Sequence, residues 1–129
     1  MKPIYFFILI IFTVSFTGSG IIPCSNFRTG KFRLHSRYTG NNYIFDRRDS
    51  FQLETGANGH KSKWRINWLR DCEYRLTYQD QIPDKNGDTL QFIFKVLNFQ
   101  IIETAKRYYI YSCTLPGKET ALVDTVWKL

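Results

Sequence analysis

Hydrophobic and polar residues alternate with period two through most of the chain after Cys24, and no window longer than a few turns keeps helical spacing. The stretch from Cys72 to Gln79 is the clearest case. Cys72, Tyr74, Leu76 and Tyr78 fall on one face, and Glu73, Arg75, Thr77 and Gln79 on the other. Just upstream, Trp64, Ile66 and Trp68 alternate with Lys63, Arg65 and Asn67, and a turn around Arg70-Asp71 joins the two runs into an expected hairpin. This parity predicts that Trp64, Trp68, Tyr74 and Tyr78 are mostly buried and share one core.

Six more runs carry a strand pattern, over residues 30–36, 43–47, 51–55, 89–99, 107–115 and 121–129, which makes eight strands in all. Gly40-Asn41-Asn42, Asn58-Gly59, Asn86-Gly87 and Pro116-Gly117 supply the positive or fixed φ that tight connections need. Short connections favour antiparallel neighbours, and eight such strands can close and abolish their edges. The expected fold is therefore all-β, a single up-and-down antiparallel barrel, with a two-sheet sandwich as the alternative.

The first residues interrupt this picture. Lys2 precedes the apolar run Ile4 to Phe16, too short for a membrane span, and the small residues Thr17-Gly18-Ser19-Gly20 follow. Residues 1–20 are expected to be an export signal, which leaves 21–129 as one domain. The expected location is periplasmic or extracellular. An alternative makes Cys24 a lipidated N-terminus attached to a membrane, although Pro23 stands where that processing prefers a small residue.

Three cysteines in an oxidising compartment permit one disulfide. Cys24 lies just before the first expected strand and Cys72 at the start of another, so both sit at strand ends and form the expected pair. Cys113 falls mid-strand after Tyr109 and Tyr111, where a thiol packs as a small apolar residue. If Cys24 is acylated instead, Cys72 is free or paired with Cys113.

The formal charge of +7 suits anionic partners, such as an envelope component, yet the basic residues are dispersed rather than clustered. Nucleic-acid binding is not expected, because aromatic and basic residues occupy opposite faces of each strand. Catalytic constellations are missing too. His35 lies on a polar parity and His60 follows Asn58-Gly59 at a turn, so neither reads as a catalytic base. The cysteines and histidines are scattered singly, against zinc ligation. Asp84, Asn86 and Asp88 resemble a fragment of a calcium loop, but the glycine is displaced and the bidentate Glu is missing. No catalytic residue, metal or cofactor is expected.

The segments Cys24 to Phe32 and Lys63 to Tyr78 resemble small exported proteins of Bacteroidetes and related bacteria, with the patterns C-x-x-F-[KR]-T-G-x-F and W-[LIV]-x-D-C-x-Y-x-L. Arg47 to Glu54 looks like that family's middle segment, R-x-x-S-x-Q-x-E. Some relatives carry a DNA topoisomerase label, which a domain of this size cannot satisfy. The layout is also similar to lipocalins and fatty-acid-binding proteins, in which an early G-x-W or G-x-F turn opens the barrel; Gly30-Lys31-Phe32 matches it. That resemblance implies a small hydrophobic ligand inside the barrel, and the inward positions Trp64, Trp68, Tyr74 and Tyr78 would line its site.

The expectation is an exported, non-catalytic barrel that binds a small apolar or amphipathic molecule. The alternatives are a filled scaffold that touches other envelope components, and an enzyme using carboxylates that no motif marks. A cavity separates the first two.

Overall fold

The computed structural model describes residues 22–82 and 95–129. The expected export signal and the Asp84 to Asp88 turn lie outside the described residues. Eight antiparallel strands run in chain order and close on themselves: β1 (Gly30–His35), β2 (Asn42–Arg47), β3 (Phe51–Thr55), β4 (Lys61–Arg70), β5 (Glu73–Ile82), β6 (Val96–Thr104), β7 (Tyr108–Thr114) and β8 (Leu122–Lys128). The expected barrel is present, and the sandwich alternative is set aside by the pairing of β1 with β8, where Phe32 faces Lys128 and Leu34 faces Val126. Closure leaves no sheet edge.

Alternation decides which side chains enter the barrel. Phe32, Phe45, Trp64, Ile66, Tyr74, Leu76, Tyr109, Cys113 and Val126 belong to one buried cluster, with Trp68 and Tyr78 partly buried against it. The core expected from parity is therefore formed, and Trp64 pairs with Tyr78 and Trp68 with Tyr74 across the β4–β5 hairpin. The expected turn glycines Gly40, Gly59 and Gly117 all have positive φ. Gly30 does as well, at 129°, so the backbone entering β1 needs a residue without Cβ.

The sixth strand differs from expectation. Its described part runs Val96–Thr104 rather than ending at Phe99. Leu97, Phe99 and Ile101 keep the inward parity, and a bulge between Ile101 and Glu103 then breaks the alternation that marks a strand.

One end of the barrel is closed by the N-terminal segment. A short 3-10 turn, Cys24–Phe27, lies across it, and Cys24 is bonded to Cys72 in the β4–β5 turn. The expected disulfide is thus present, and Cys113 is a buried free thiol. Thr104 Oγ1 donates to the Ile22 carbonyl at 2.6 Å and Lys128 Nζ to the Asn26 carbonyl at 2.6 Å, so β6 and β8 both hold the same plug.

Candidate functional site: the barrel interior

The floor of the barrel is built around a buried cation. Arg47 ends β2 on the parity of Tyr43 and Phe45, so its side chain must point inward, where it is 1% exposed. Each guanidinium nitrogen has a partner. Nε donates to Gln52 Oε1 at 2.9 Å, Nη1 to the Phe27 carbonyl at 2.9 Å, and Nη2 to the hydroxyls of Tyr109 at 3.0 Å and Tyr74 at 3.4 Å. The rings of Phe32 and Tyr74 both lie 4.8 Å from the guanidinium carbon.

No carboxylate among the described residues lies within ion-pair distance of Arg47. Burial opposes its charge, but the hydroxyls of Tyr109 and Tyr74 hold its pKa above the usual arginine value. Burial in turn pushes the Tyr74 hydroxyl well above the ordinary phenol range. The result is a polar knot in which four hydrogen bonds hold the guanidinium at the floor.

The other end is built differently. In an antiparallel barrel the starts of even strands and the ends of odd strands share one rim. On that rim the inward residues Tyr43, Glu54, Tyr78, Leu97, Leu115 and Leu122 keep partial solvent contact, whereas inward Ser62 and Asp124 are buried. By contrast Phe32, Arg47, Gln52, Tyr74, Tyr109 and Val126, towards the floor, are each at most 2% exposed. Trp68 and Phe99, beside Tyr74, are only partly buried, but the floor is otherwise the more deeply buried end, and we call the other end the mouth.

The described β1–β2 loop at the mouth is held by hydrogen bonds. Ser36 Oγ accepts from the backbone N–H groups of Tyr38 and Thr39, which tightens the β1–β2 loop. That loop is tied to β8: Asp124 Oδ2 accepts from the Arg37 N–H at 3.0 Å, and the Tyr38 hydroxyl accepts from the Val123 N–H at 2.7 Å. Next to that loop, the Tyr43 ring lies against Gly56, where an added Cβ would come within 3.3 Å of it.

Glu54 is the exceptional group there. It follows Gln52 at period two on β3, so it shares the inward face, and its cross-strand neighbours are Phe45 and Ser62. No hydrogen bond or ion pair from the described residues reaches its carboxylate, whereas the inward Asp124 is bonded to the N–H groups of Arg37 and Thr125. Although Glu54 keeps a contact with solvent, the surrounding wall desolvates it and pushes its carboxyl up to about 7.

The four aromatic residues expected to line a site divide between these regions. Trp64 and Tyr78 stack edge to face at 5.5 Å, with Trp64 Nε1 donating to Ser62 Oγ at 2.9 Å. Tyr74 is committed to the floor through its bonds with Arg47 and Tyr109, and Trp68 packs beside it at 4.8 Å under the Arg28 guanidinium. The motif-free reading of the residues missed Arg47, Gln52 and Glu54. The signal was present in the R-x-x-S-x-Q-x-E segment, whose Arg, Gln and Glu all occupy inward positions.

Outside the barrel, Ser50, Phe51, Lys63, Arg65, Asn67 and Gln79 line an open trough of about 430 Å³ on the outer wall of β3, β4 and β5. Lys63 Nζ lies 4.9 Å above the Phe51 ring. The histidines are peripheral: His35 Nδ1 is 2.8 Å from Asn42 Oδ1 at an exposed position. No group of three or more potential metal ligands gathers among the described residues, and no described helix is long and apolar enough to cross a membrane. Comparison of the chain with family models, with curated proteins and with solved structures finds no match.

Proposed function

We propose that this chain is an exported binding module whose barrel takes a small apolar or amphipathic molecule through the mouth, without catalysing a reaction. One observation carries the reading: Tyr43, Tyr78, Leu97, Leu115 and Leu122 turn aromatic and aliphatic surface inward at the mouth and keep partial solvent contact, while most of the floor is buried. Ligand sites have this character, a largely apolar concavity with a few placed polar groups. The Cys24–Cys72 disulfide is compatible with an oxidising, exported location. Native mass spectrometry of the protein purified from its own host tests the proposal. A co-purified small molecule bound one to one is expected. Ligand-free protein that also shows no saturable uptake of the neutral dye N-phenyl-1-naphthylamine would rule the reading out.

A second reading has its own support. The filled floor and the basic trough around Lys63 and Arg65 suit a scaffold whose outer wall meets an anionic envelope component. It predicts salt-sensitive retention on anionic envelope material, lost in Lys63→Glu/Arg65→Glu.

A further inference from the structure

We propose that the mouth selects an amphipathic cation, an ammonium head on an apolar tail, with Glu54 as the recognising group; this rests on the ligand-binding reading above. The protein carries an excess of basic residues, 18 Lys and Arg against 11 Asp and Glu. In such a chain an acidic side chain turned into the barrel, without an internal cation among the described residues to pair it, stands out against the general charge.

An unpaired carboxylate in a partly desolvated wall is costly, and folded proteins ordinarily avoid it by pairing or by exposing the group. Glu54 has neither remedy in full. It is held inward by the register that pairs Phe45 with Glu54 and Glu54 with Ser62, and shifting that register would expel Gln52 from the Arg47 knot. The titratable groups facing the same interior do not relieve it. Tyr111, on β7, feels Glu54 as a like-signed neighbour, and Asp124, on β8, adds negative charge beside Tyr111. Arg47 is the inward cation of the described wall, and its guanidinium is held at the floor by Gln52, the Phe27 carbonyl, Tyr74 and Tyr109.

The walls around Glu54 supply the rest of a cation site. Phe45 is its direct neighbour, and Tyr43, Tyr78 and Tyr111 present aromatic surface to the same interior. Aromatic faces attract ammonium groups, most strongly where water is partly excluded, and a carboxylate adds the full charge. Leu97, Leu115 and Leu122 line the same end of the barrel and offer apolar surface to a tail. An anionic head would instead meet Glu54 and Asp124 with like charge.

The test compares three probes with one tail: decyltrimethylammonium, decanoate and decanol, titrated calorimetrically into the folded full-length mature protein well below micelle-forming concentrations. Decyltrimethylammonium should bind at least about tenfold more tightly than decanoate. Glu54→Gln, which keeps the side-chain shape, should erase that preference while decanol binding stays unchanged, and its thermal unfolding checks that the barrel is intact. If decanol and decanoate bind as well as the ammonium, or Glu54→Gln keeps the preference, the selectivity is wrong but the ligand-binding reading stands. If none of the three binds, the ligand-binding reading itself fails, and this inference with it.

Discussion

Arg47 Nη2 donates to the Tyr109 hydroxyl at 3.0 Å across the floor of the barrel, and Tyr109 lies in turn 3.0 Å from the hydroxyl of Tyr74. Three strands, β2, β5 and β7, are thereby joined through one guanidinium in addition to their apolar contacts. A buried cation held by neutral partners alone depends on the hydrogen bonds that replace its hydration. Arg47→Lys keeps the charge but loses the planar fork, and should cost about 2 to 4 kcal/mol in denaturant unfolding. A change below about 0.5 kcal/mol would show that the knot is incidental to stability.

The disulfide ties the plug to the β4–β5 turn across 48 residues of sequence. The chain-entropy account assigns about 4 kcal/mol to a loop of that length, so the Cys24→Ser/Cys72→Ser protein should melt roughly 15 to 30 °C lower. Calorimetry on the oxidised and double-mutant proteins measures it. Equal melting temperatures would mean that the hydrogen bonds from Thr104 and Lys128 hold the plug unaided.

Trp64 is 2% exposed and Trp68 only partly buried, so truncation should separate them. Trp64→Ala should cost about 3 to 5 kcal/mol and Trp68→Ala about 2, against less than about 0.5 for Lys63→Ala on the opposite face. The order of the three denaturation midpoints is the readout, and a Lys63→Ala effect equal to that of Trp64→Ala would contradict the parity of β4.

Glu54 gives stability a definite pH dependence. Its folded carboxyl titrates at about 7, above the ordinary glutamate value of about 4.3. Between those values the folded chain holds a proton that the unfolded chain has released, so stability falls as pH rises through this window. Solvent at the mouth screens part of the effect, which leaves about 1 to 2 kcal/mol. Unfolding of wild type and Glu54→Gln at pH 5 and pH 8 should show the variant gaining relative stability at the higher pH. A difference that does not change with pH would place the carboxylate in ordinary solvent.

Cys113 is 3% exposed, and burial pushes its thiol up to about 11. Iodoacetamide at pH 8 should leave the native protein unlabelled and add one group after unfolding without reductant. Rapid native labelling by mass spectrometry would mean that the β7 wall opens readily.

Period two was enough to place nearly every inward residue of this barrel, because in a strand each side chain's face follows from its neighbour's. Trp64, Tyr74 and Cys113 were legible for that reason, and the turn glycines because positive φ restricts the residue types that fit. The sequence reading also paired Cys24 with Cys72 from their places at strand ends. Arg47 and Glu54 were different. Their parity was visible, but a charge on an apolar face can signify a strand end, a bulge or a buried group. Only closure of β1 on β8 brought Phe27, Gln52, Tyr74 and Tyr109 around Arg47, from segments far apart in the chain. The tertiary structure likewise decided that each guanidinium nitrogen of Arg47 finds a partner while no described residue pairs with Glu54. Hydrogen-bond satisfaction depends on distances across the barrel, and alternation along a strand carries no information about them.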